Sequence, residues 1–102
     1  MYFFLRTRNP RPTFHLDMTA EERAVMQAHV AYWSKFAAEG IALVFGPVAD
    51  PKGVYGIGVY CVDDRAQMQR LLDADPARDL LQSELFEMPR VIVGQLHSNV
   101  LG

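Results

Sequence analysis

The stretch from residue 41 to residue 62 constrains the fold more than any other part of this chain. Ile41-Ala42-Leu43-Val44-Phe45 is an unbroken apolar run closed by Gly46-Pro47, and Val54-Tyr55-Gly56-Ile57-Gly58-Val59-Tyr60-Cys61-Val62 is a second. Between them stands Asp50-Pro51-Lys52-Gly53, a strong turn signal, because proline presets its φ and glycine accepts conformations closed to other residues. Two β-rich segments joined this closely must pair antiparallel, since a parallel pair needs a crossover of roughly a dozen residues or more. In the second run Tyr55, Ile57 and Val59 are bulky, whereas Gly56 and Gly58 leave their face bare. Something must approach that face closely, either a helix or a ligand.

The flanking segments complete an alternating order. Tyr2-Phe3-Phe4-Leu5-Arg6-Thr7 reads as a first strand, stopped by Asn9-Pro10-Arg11-Pro12 because two prolines remove ladder donors. Residues 9–18 form a loop longer than the usual ~4–6 residues, which marks it as a candidate functional segment. Thr19 and Glu22 have capping-box spacing and start a helix. Val25, His29, Trp33 and Phe36, with Met26, Val30 and Ala37 beside them, make one apolar stripe of helical period, and Gly40 is the stop. Asp63-Asp64 caps a second helix, with Ala66, Leu71 and Leu72 toward one side. Asp75-Pro76 ends it and is expected to start a short third helix over 76–81, with Asp75 as its cap. A last strand is expected over 84–97, interrupted by Pro89 and centred on Val91-Ile92-Val93.

The order β-α-β-β-α-(short α)-β predicts an α+β fold of ferredoxin-like type, a four-stranded antiparallel sheet with its helices on one face. The 102 residues make one domain, 1–102. Strand positions of both parities are apolar: Ile41, Leu43 and Phe45 against Val44, and Val91 and Val93 against Ile92. Two helices cannot cover both sheet faces. Burying each Leu- or Phe-sized side chain is worth roughly 1.5–3 kcal/mol, so a second copy of the chain, face to face, is the expected cover. The expectation is a homodimer through the sheet faces.

Composition removes several classes of function. Ten basic residues against twelve acidic ones supply no basic face for nucleic acid. An RNA-binding ferredoxin-like domain would also need aromatics beside basic residues on its sheet, and these strands carry little charge. The apolar runs fall far short of the ~20 residues of a membrane span. Arg6 and Arg8 follow the first apolar run, the wrong order for a secretory leader. The expectation is a soluble cytoplasmic protein. Cys61 is the sole cysteine and reads as a small buried hydrophobe, so neither an intrachain disulfide nor a cysteine metal site is expected. His15, His29 and His97 lack a His-x-x-x-His spacing, and no metal is expected. Gly56-x-Gly58 lacks the third glycine and following helix of a dinucleotide fingerprint, so no organic cofactor is expected either.

Two residues stand out as candidates for chemistry. His29 sits mid-stripe, and an imidazole there can move protons near neutral pH or simply serve as a hydrogen-bonded core side chain. Asp75 can cap a helix, or it can face His29, fix its tautomer and favour the imidazolium. Forty-six positions of sequence separate them, and spacing does not decide between these readings. Trp33 or Tyr32, with the bare positions at Gly56 and Gly58, would shape an apolar pocket. Arg6 and Arg8 would offer cations to an anionic ligand or protect a strand edge from aggregation.

A helical His followed by an aromatic pair (His29-Val30-Ala31-Tyr32-Trp33), then Glu39-Gly40, then Phe45-Gly46-Pro47, then Asp73-Ala74-Asp75-Pro76 resembles the YCII-related proteins. The likeness runs from Tyr2 to about Leu96. The loop at 9–18 and the tail after His97 fit less well. The resemblance implies a ferredoxin-like fold that dimerises through its sheets into an α/β barrel. It also implies a His–Asp pair lining a small cleft, which maps onto His29 and Asp75, with Gly46-Pro47 close by. Some relatives are implicated in acid–base removal of a leaving group from ring-derived small molecules, and others of the same architecture are isomerases or oxygenases. Two functions remain in play. One is a metal- and cofactor-free acid/base lyase, isomerase or dehydrochlorinase-like enzyme, with catalytic His29 and Asp75 and with Trp33, Gly46, Pro47 and Arg6 at the substrate. The other is a non-catalytic dimeric module that holds a small metabolite. Catalysis asks for imidazole and carboxylate in hydrogen-bonding reach and open to solvent, whereas a binder tolerates either turned into the core.

Overall fold

A computed structural model describes residues 1–95, so His97 and the end of the expected last strand lie outside the described residues. The order of elements is β1 (Tyr2–Arg8), α1 (Phe14–Asp17), α2 (Ala20–Ala38), β2 (Ala42–Val48), β3 (Tyr55–Cys61), α3 (Arg65–Asp73) and β4 (Gln82–Met88). The strands form one sheet in the order β2-β3-β1-β4, with every neighbouring pair antiparallel. This is the expected α+β ferredoxin-like topology: β3, the hairpin partner of β2, also lies against β1 and so separates β1 from β2.

Register divides the side chains between two faces. Phe3, Leu5 and Thr7 of β1 pair with Tyr60, Gly58 and Gly56 of β3, and this set faces the helices. Trp33 from α2 and Met68 from α3 close on it, both fully buried, to make one core with Phe3, Leu5, Ala42, Tyr60 and Val62. Trp33 and Tyr60 stack with ring centroids 4.7 Å apart. The opposite face carries Phe4, Ile57, Val59, Val44 and Phe86, with no helix over it among the described residues; Val44 and Phe86 are about half exposed, at 53% and 50%.

Local chemistry sets the boundaries. α2 starts at the Thr19 capping box, in which the Thr19 hydroxyl accepts from the Glu22 amide and the Glu22 carboxylate accepts from the Thr19 amide. It ends where Gly40 takes a positive φ of 78°. Asp64 caps α3 by accepting from the Gln67 amide. Met68 is the fully buried residue of α3, while Ala66, expected on the packed side, is exposed.

Four boundaries differ from expectation. The segment 9–18 holds a single helical turn, α1, which buries Phe14. β2 does not stop at Gly46-Pro47 but runs through them to Val48, which an edge strand permits because a proline there costs no inner ladder bond. The short helix over 76–81 is absent. Asp75 bonds the Ala77 amide two residues on, and a chain of turns results. Finally, β4 occupies Gln82–Met88 and ends before Pro89, which leaves Val91-Ile92-Val93 outside the sheet with Ile92 fully exposed. Pro89 terminates the strand and does not merely interrupt it.

Candidate active site

α2 projects His29 and Trp33 from one face, four residues apart, toward the turn that follows α3. Both meet Asp75. The His29 Nδ1 atom lies 2.9 Å from each carboxylate oxygen, and the Trp33 Nε1–H donates to Oδ2 at 2.8 Å. The Ala77 amide donates to Oδ1 at 2.8 Å. Three donors from two elements therefore hold one carboxylate that is 6% exposed. Burial by itself would raise the Asp75 carboxyl, but the bonds from His29, the Ala77 amide and Trp33 outweigh it and hold the group below its ordinary 3.8. An ionised carboxylate only accepts, so Nδ1 carries the proton and Nε2 is the free nitrogen of a neutral His29.

His29 borders a cavity of about 450 Å³ between α2, the α1 segment and the helix-facing side of β1, β2 and β3. Leu5, Phe14, Met26, Phe45 and Leu81 give it an apolar wall, and Gly46, Pro47 and Gly56 form part of one side. The residues with polar side chains that line it are Thr7, Asn9, His15, His29, Tyr55 and Tyr60. No lysine, arginine or carboxylate is on the wall among the described residues; Asp75 stands behind His29. The Arg11 guanidinium anchors the α1 segment that closes this side. It bonds both carboxylate oxygens of Glu22 at 2.8 Å and Asp17 Oδ1 at 2.8 Å. Its charge and hydrogen bonds hold the Glu22 carboxyl down to about 2.

The positions expected at the substrate divide two and two. Gly46 and Pro47 border the cavity with His29. Trp33 does not: it is fully buried, and its contribution is the bond to Asp75. Arg6 points to the opposite sheet face, its guanidinium 4.9 Å from the Tyr55 ring centroid, because β1 alternates and Leu5 and Thr7 take the cavity side. The bare face of β3 has a specific explanation. A Cβ on Gly58 would collide with the hydroxyl end of the Tyr60 side chain, and a Cβ on Gly56 would collide with the Thr7 hydroxyl. The chain's own hydroxyl-bearing side chains lie over both glycines.

Sequence reading passed over Tyr60, Thr7 and Asn9 as cavity residues and gave little weight to His15. One signal was available. Tyr60 shares the parity of Gly56 and Gly58, so a side chain leaning back along the strand lies over them. Asn9 and His15 reach the cavity through the path of a loop, which no periodicity encodes.

In overall shape the chain is similar to 5-chloro-2-hydroxyhydroquinone dehydrochlorinase (TftG) from Burkholderia phenoliruptrix AC1100, solved in complex with 2,5-dihydroxybenzoquinone. The TM-score is 0.66 at 13% identity, over 89% of this chain and 96% of that one. No protein with a curated description matches the chain. The model of the YCII-related domain matches residues 2–92, nearly all that the structure describes, and the chain belongs to that family.

Proposed function

We propose that the protein is an enzyme of proton transfer on a small, largely apolar molecule, with His29 as the general base or acid and Asp75 as the group that orients it. The observation that carries this reading is the pairing of His29 Nδ1 with both oxygens of a buried Asp75 beside a cavity of about 450 Å³. With Nδ1 committed to the carboxylate, Nε2 is the nitrogen left to accept a proton from a ligand. The imidazolium so formed keeps its Nδ1–H bonded to an anion that stabilises it. A positioned base of this kind contributes typically ~10²–10⁴-fold. The wall suits a ring-sized molecule of low charge, because it offers shape and hydroxyls but no fixed cation to a phosphate or polycarboxylate. TftG, similar in fold and solved with a small quinone, is consistent with loss of a leaving group from a ring as the reaction class.

The apolar sheet face opposite the helices supports a homodimer as the working form. Phe4 and Phe86 pack there with centroids 6.4 Å apart, and Val44 extends the patch across β2. A dimeric binding module without catalysis is the competing reading. Turnover decides between them: chlorinated hydroquinones and related ring compounds are screened for chloride release or isomerisation, and hits are repeated with His29→Gln. Loss of turnover with retained ligand binding supports the enzyme. Turnover unchanged by His29→Gln removes the catalytic assignment.

A further inference from the structure

Tyr60 is 2% exposed, and no fully buried side-chain nitrogen or oxygen among the described residues is left without a partner, so a phenol hydroxyl that bonds no protein group there keeps an accessible edge. The ring stacks on Trp33 and leans back along β3 over Gly58, and this places the side chain on the floor of the cavity that holds His29. A hydroxyl at the edge of a cavity meets water or a ligand in place of a protein partner, so its orientation has a chemical meaning. Thr7, the nearest hydroxyl-bearing neighbour across the strand pair, lies over Gly56 and makes no bond to the phenol. Burial, and then the charge on Asp75, push the phenol well above its ordinary value, which keeps it a donor at every physiological pH.

We infer that the Tyr60 hydroxyl is the hydrogen-bond donor that recognises an oxygen of the ligand, a carbonyl or ring-bound oxygen, in the cavity beside His29. The inference rests on the cavity being the ligand site, and it deepens that reading by naming the chemical feature the ligand carries. Glycine at position 58 is part of the device, because any Cβ there would push the phenol ring off its place. His29 moves protons in this arrangement, and Tyr60 fixes which atom of the ligand lies next to it.

Two probes of one shape isolate the oxygen: acetophenone, and α-methylstyrene, in which a methylene replaces the carbonyl oxygen. Both are titrated into the full chain, and carbonyl-labelled acetophenone is followed by ¹³C NMR. Wild type should prefer acetophenone and move its carbonyl resonance downfield. Tyr60→Phe should reduce that preference by about 3- to 10-fold and abolish the resonance shift while binding α-methylstyrene as before. The inference is overturned if wild type shows no preference, if neither probe binds, or if Tyr60→Phe weakens both probes equally, the mark of a packing role. His29→Gln should keep the acetophenone preference. Failure of the acid–base reading is thereby told apart from failure of this one.

Discussion

His29 and Trp33, one helical turn apart on α2, donate to the same carboxylate. Asp75 Oδ2 lies 2.9 Å from His29 Nδ1 and 2.8 Å from Trp33 Nε1. The indole is therefore part of what aims the imidazole, although it is fully buried and away from the cavity. A carboxylate held from both the helix and its own turn cannot swing, and an imidazole bonded to it keeps one tautomer.

Trp33→Phe keeps the ring and removes the N–H. It should destabilise the protein by about 1–3 kcal/mol, the range for a lost bond to a buried charged group, against about 3–5 kcal/mol for Trp33→Ala, which also leaves a cavity. Urea denaturation of the two variants separates these contributions.

Acid should remove the stability that Asp75 supplies. Its native value lies below 3.8, so the folded form takes up a proton less readily than the unfolded chain. The contribution is fully present above about 3.8 and disappears as pH falls through the lower native value. Asp75→Asn should be less stable than wild type at about pH 6, and the gap should narrow near about pH 2.5. Glu22, held low by Arg11, and Asp17, held low by the Thr13 hydroxyl and then Arg11, are common to both proteins and cancel in the comparison.

On a substrate identified by the turnover screen, His29→Gln should cost about 10²–10⁴-fold in kcat with a smaller change in KM. Asp75→Asn should lower kcat as well, because the amide no longer fixes the Nδ1–H tautomer of the imidazole. Steady-state rates across pH check both variants.

Two glycine substitutions should part company. Gly58→Ala drives a methyl into the Tyr60 ring and should cost about 1–3 kcal/mol through overpacking. Gly46→Ala meets nothing within 4 Å at a negative φ and should stay within about 1 kcal/mol of wild type. Thermal melts of the two give the contrast.

Phe86→Lys should convert the proposed dimer to a monomer without altering the helix-facing core, since residue 86 lies on the open sheet face and is 50% exposed. Sedimentation of wild type and variant at micromolar concentration reads it directly. A monomeric wild type would remove the dimer.

The sequence by itself determined the order of the four strands and the two longer helices, the hairpin across residues 50–53 and the helix starts at Thr19 and Asp64, because periodicity and capping act within a few residues. It also singled out His29 and Asp75 as chemical groups and Gly56 and Gly58 as places of close approach. The tertiary structure decided what local rules cannot reach. Sheet register sent Arg6 to the far face and brought Thr7 and Tyr60 over the two glycines. The fold placed Asp75 against α2, where the bond to Ala77 and the donors His29 and Trp33 replaced the helix expected at 76–81. Pro47 stayed within β2 because topology made that strand an edge, and Pro89 ended β4. Apart from the Asp75–Ala77 bond and the stop at Pro89, which are local, these outcomes depend on partners distant in sequence, and the energy of such contacts is settled only when the chain has folded.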